Sequence, residues 1–105
     1  MIALGLPRFH VHDYARVEVD DEGRLAPGSG DLTLGAGTRL AVLDVKVRGN
    51  EVRILTHTAE PVRREGRMAV YGCTEFIFHF ADGAPGRGDV AEVAARIGGI
   101  LTPAG

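Results

Sequence analysis

The chain has 105 residues, 45% of them hydrophobic and 25% charged, with a formal net charge of −2. That length supports one core and therefore one domain over residues 1–105, and the composition is that of a globular protein and not a disordered one. A charge so near zero, with basic residues scattered except at Arg63, Arg64 and Arg67, argues against a nucleic-acid or membrane-surface partner.

At the N-terminus, "IALGL" is too short for the apolar core of a secretory signal, and no run approaches the ~20 apolar residues that span a bilayer. The cytoplasm is the default compartment; a removed export signal stays open. "FHVHDYARVEV" (residues 9–19) reads as one long strand with Phe9, Val11, Ala15 and Val17 on one face. His10 and His12 stand two apart, as a strand presents two imidazoles to a metal, but on the side away from that face. "DDEG" (20–23) then turns the chain. "LAPGSGDLTLGAGT" (25–38) holds four glycines and a proline, so it reads as loop with a short strand at Leu32 to Leu34.

"RLAVLDVKVRGNEVRILTHT" (39–58) carries the sharpest local signal. Gly49-Asn50, two residues that tolerate positive φ, separates two β-branched runs and specifies a two-residue hairpin. The turn sets Arg48 opposite Glu51, Val47 opposite Val52, Val45 opposite Ile54 and Leu43 opposite Thr56. One face then collects Leu43, Val45, Val47, Val52 and Ile54. The other collects Lys46, Arg48, Glu51, Arg53 and His57.

"AEPVRREGR" (59–67) is a polar connection, followed by strands at "MAVYG" and "CTEFIFHF". In the latter Thr74, Phe76, Phe78 and Phe80 share the core face, opposite Glu75, Ile77 and His79. Apolar Ile77 on an otherwise polar face suggests edge-strand assembly. In "GAPGRGDVAEVAARIGG" (83–99), Asp89 with Glu92 forms a capping box for a helix over 89–98. Its stripe is Val90, Val93, Ala94 and Ile97. About two turns cannot stand alone in water, so this helix must pack on the strands.

Together these elements predict a mainly β fold: a small barrel or roll of five to seven short strands with a short C-terminal helix. "LTLGAGTRLAVLDVKVRGNEVRIL", with its "GT-x-L-x-V" entry into a long strand and tight hairpin, resembles the strand pairs of SH3-like barrels, over about residues 32–58. A barrel followed by a short helix also resembles uncharacterised bacterial domains built on that barrel. These resemblances imply a fold and no activity.

Candidate chemistry is sparse. A metal reading needs three or four ligands converging from different strands. "HVH" followed by Glu18 is similar to the start of a cupin motif; the resemblance implies, as the alternative function, a metal-binding protein or small-molecule enzyme with His10, His12 and Glu18 as ligands of one divalent transition metal and His57 or His79 as a fourth. Five residues part His12 from Glu18, where the cupin pattern has three or four, and "APGSGDL" lacks the later histidine. His57 and His79 become neighbours only if their strands pair suitably. Ser29, the single serine, lacks a nucleophile-elbow setting even with Asp31 nearby. Cys73 has no basic neighbour in sequence to activate it. "GAPGRGDV" matches no phosphate-binding fingerprint. Tyr14 and Tyr71, without tryptophan, make a thin platform for a proline-rich peptide.

With no acid, base and nucleophile set, the expected role is a non-catalytic binding or interaction domain without a cofactor. Its partner is a protein, through the Arg63, Arg64 and Arg67 loop, or a second copy, through an edge strand.

Overall fold

A computed structural model describes residues 2–4, 8–11, 14–25, 32–35 and 37–103. The class is mainly β with one short C-terminal helix. Among the described residues ten strands run β1 (Ile2–Leu4), β2 (Arg8–Val11), β3 (Tyr14–Val19), β4 (Leu32–Gly35), β5 (Arg39–Arg48), β6 (Glu51–Thr58), β7 (Arg63–Glu65), β8 (Met68–Val70), β9 (Cys73–His79) and β10 (Leu101–Pro103), with α1 (Val90–Gly98) before the last. Six of them form one sheet in the order β10-β1-β5-β6-β9-β3, while β2 pairs with β4 and β7 with β8. The sheets do not close into a barrel among the described residues.

The β5–β6 hairpin keeps the expected register from Arg48↔Glu51 through Asp44↔Leu55. Of the two turn residues only Gly49 takes a positive φ, +53°; Asn50 does not, and no described residue other than glycine has one. That is the pattern of a turn needing glycine at its first central position. Leu43 departs from expectation. The ladder runs Val42↔Thr56 and Asp44↔Leu55, so Leu43 is the extra residue of a β-bulge. Alternation alone cannot show such an insertion.

The long N-terminal strand is instead two. Residues 8–11 pair with β4, whereas 14–19 pair in parallel with β9, Val17 opposite Phe76. A parallel neighbour far along the chain leaves no local trace in sequence. After β3, the "DDEG" turn forms as read: Asp20 Oδ1 accepts from Glu22 N and Arg24 N, each at 2.9 Å, and Gly23 has φ +82°.

β9 lies between β6 and β3, with Thr74, Phe76 and Phe78, and Phe80 just beyond its end, buried on the core face. Val17, Val19, Leu40, Val52 and Ile54 complete that face; Ala84, Ile100 and Leu101 close over it, with Val93 and Ile97 of α1 packed alongside. Two buried threonines satisfy backbone groups. Thr56 Oγ1 donates to Thr74 O at 3.0 Å, and Thr58 Oγ1 accepts from Gly72 N at 3.1 Å. Ile77 is also buried, at 4% exposure, and β9 is not an edge, so Ile77 is not the assembly point the sequence suggested.

α1 begins as predicted, with Asp89 Oδ1 accepting from Glu92 N at 3.2 Å. The capping box is only half made: Asp89 N donates to Ala84 O, and Glu92 turns to Arg96 Nε at 2.7 Å. After α1, residues 101–103 form β10 on β1, a pairing too short to leave a sequence signal.

Candidate interaction groove

β1 covers the outer edge of β5 only at Leu40 and Arg39. From residue 42 to 48 that edge has no strand partner among the described residues. By ladder register Val42, Val45 and Val47 lie on the same face as buried Thr56, Ile54 and Val52. They would be core if a further layer covered them. None does: Val45 is 54% and Val47 61% exposed, and Val42 and bulged Leu43 are exposed too.

α1 forms the opposite wall. Val93 and Ile97 turn into the core, leaving Val90, 76% exposed, and Ala94 on the groove side of the stripe. Near the hairpin the groove is lined by Val47, Val52, Pro85, Asp89, Val90 and Val93. Farther along, Val42, Val45 and Ile54 face Ala94, Ile97 and Leu101. The lining is aliphatic almost throughout. An apolar channel beside a row of unpaired backbone groups suits an extended chain that adds a strand and inserts alternate side chains.

Arg96 holds the wall in place. Its guanidinium reaches Asp82 Oδ2 at 2.5 Å and lies 5.3 Å from the Phe80 ring centre. Around Asp82, desolvation opposes ionisation, but the Arg96 hydrogen bond, Ala84 N–H and the charges of Arg96 and Arg87 outweigh it and hold the carboxyl below its ordinary value. Arg96 is raised in turn, first by its hydrogen bond to Glu92.

The other face of the sheet is polar. Across β3, β9 and β6 a chain of alternating charges runs Arg16–Glu75–Arg53–Glu51, with His79 between Glu18 (3.1 Å) and Glu51 (3.7 Å). Glu75 Oε1 makes no hydrogen bond but lies 3.4 Å from Arg16 Nε and 3.7 Å from Arg53 Nη1, so two cations compensate it.

Of the proposed metal ligands, the structure brings Glu18 and His79 together and separates His57 from them. The strands of His57 and His79 do pair, but His57 stands opposite Cys73 and His79 opposite Glu51. Six residues of register, roughly 20 Å along the strand, part the two histidines. His10 is in β2, away from β3 and β9 in the ladder, and His12 lies outside the described residues. Among the described residues no group of three His, Cys, Asp or Glu is placed to hold a metal ion.

Ser29 and Asp31 also lie outside the described residues. Cys73, half-buried, gains a histidine neighbour that sequence could not reveal, and His57 meets Tyr71 edge-on at 6.0 Å. The His57 Nδ1–H donates to Thr58 O at 2.7 Å. Residues 83–88 form turns leading to Asp89, which caps α1 with its own carboxylate. Arg63, Arg64 and Arg67 lie on the exposed β7–β8 hairpin, where Arg63 pairs with Glu65 at 3.1 Å.

No helix of the described residues is long and apolar enough to cross a membrane. No protein-family model, curated protein or solved structure matches the chain. Sequence reasoning missed the groove because it put Val45 and Val47 in the core; Val90, at the end of an otherwise packed stripe, was the available hint.

Proposed function

We propose that the chain is a non-catalytic interaction domain that binds a protein strand in the groove between α1 and residues 42–48. The observation that carries this reading is the row of exposed valines, Val42, Val45 and Val47, beside a strand edge that has no partner among the described residues. Leaving them in water forgoes about 1.5–3 kcal/mol for each side chain that a partner would bury. The aliphatic lining suits a β-strand partner better than a proline-rich helix, which docks on aromatic grooves. A protein partner rather than a nucleic acid, a cytoplasmic setting and a second contact at the Arg63, Arg64 and Arg67 hairpin belong to the same proposal, on a net charge of −2.

The test uses the apolar dye ANS. Native protein is expected to bind it, and Val45→Glu is expected to abolish binding with the far-UV circular dichroism unchanged. Native protein that binds no dye would overturn the groove reading.

A further inference from the structure

The geometry points to a second copy of this chain as the occupant of the groove edge, paired β5 to β5 in antiparallel fashion about a two-fold axis at Val45. This takes the surface proposed above and names its partner.

The hairpin decides which backbone groups are available. In a two-residue hairpin the closing pair, Arg48 and Glu51, exchanges both hydrogen bonds, and such pairs alternate along the ladder. Asp44, Lys46 and Arg48 therefore direct their N–H and C=O groups at β6. Val45 and Val47 direct theirs outward. Bonds on the far side of β6 agree with this alternation: Phe80 N donates to Asn50 O at 2.7 Å and Thr58 N to Gly72 O at 2.8 Å. A two-fold at Val45 lets the Val45 N–H of each copy donate to the Val45 C=O of the other.

Charge selects the same register. Residues directly opposite in an antiparallel pair share a face, so a two-fold perpendicular to the sheet passes between a residue and its own copy. Centred on Asp44 or Lys46, it opposes two like charges; centred on Val47, it sets Lys46 against Arg48. Centred on Val45, it sets Asp44 of each copy against Lys46 of the other, twice. Within one chain Lys46 Nζ already lies 3.8 Å from Asp44 Oδ2, so pairing makes a closed group of four alternating charges.

Of the two outer strands of the sheet, β10 is only three residues long and β3 offers no comparable gain. Its Val17 and Val19 are already buried, Arg16 is paired with Glu75, and Glu18 with His79. The β5 contact is well below the ~20–30 residues a side of a standard interface, so the association is weak and depends on concentration.

The test is sedimentation equilibrium from micromolar to millimolar protein. Wild type is expected to dimerise reversibly. Asp44→Lys and Lys46→Asp, both at exposed positions, each oppose two like-charge pairs and are expected to weaken the dimer about tenfold or more. An equimolar mixture of these two variants restores opposite charges across the seam and is expected to regain wild-type association. In a Cys73→Ser background, Val45→Cys treated with added oxidised glutathione is expected to cross-link to its copy, since opposed Cα atoms at ~5.5 Å lie within disulfide reach.

Wild type that stays monomeric at millimolar concentration overturns the pairing, as does association that both reversals leave untouched or that the mixture does not restore. Monomer that still binds ANS leaves the groove for a foreign strand. Monomer without dye binding removes the groove reading as well.

Discussion

At the scale of single residues, burial separates side chains of similar kind. Val45 and Ile54 are direct partners in one ladder, yet Ile54 is core and Val45 is surface: β6 lies between β5 and β9, whereas β5 has no outer neighbour at Val45 among the described residues. Polar residues divide likewise. Thr58 is buried and its hydroxyl accepts the Gly72 N–H, so Thr58→Val strands that donor and is expected to cost about 1–3 kcal/mol in urea unfolding. Phe76→Ala empties the centre of the core and is expected to cost about 3–5 kcal/mol by the same measurement. Val45→Thr, which keeps the shape and β-branching of an exposed residue, is expected to change stability by less than about 0.5 kcal/mol. Alternation read from sequence put Val45 and Ile54 on one face correctly, but it carries no information on whether a face is covered.

At the scale of elements, α1 is too short to hold itself and depends on its cap and its docking. Asp89→Ala removes the bond to Glu92 N and is expected to cost about 0.5–2 kcal/mol, read as earlier amide exchange in residues 90–98 than in β6 and β9. The cap and stripe were legible because both are local spacings. The reciprocal half of the capping box was not, since it depends on Glu92 meeting Arg96 and on Ala84 taking the Asp89 N–H. The hairpin divides similarly. Gly49-Asn50 predicts the turn and the first five pairs, while the bulge at Leu43 lies beyond the turn's reach.

For the molecule as a whole, acid is expected to act through the loop that ties α1 to the sheet. Asp82 has a lowered pKa, as does Asp20, held down first by its bond from Arg24 N. A carboxyl depressed on folding contributes stability that is complete above its unfolded value of about 3.9 and is lost as pH falls through the folded value. Thermal unfolding is therefore expected to show a Tm steady down to about pH 4 and falling below it, with Asp82→Asn showing less of that fall. High salt is expected to weaken self-association through Asp44 and Lys46 more than it weakens the fold, because those charges are exposed and the core is apolar.

The sequence by itself determined the mainly β class, the hairpin register near its turn, the phenylalanine face of β9 and the start of α1. Each depends on residues within a few positions of one another, where turn chemistry and side-chain period act directly. Only the tertiary structure decided that β3 joins β9 in parallel, that His57 and His79 lie far apart, and that Ile77 is buried while Val45 and Val47 are not. Those outcomes turn on which distant strand comes alongside and which face another layer covers, and neither leaves a mark on neighbouring residues.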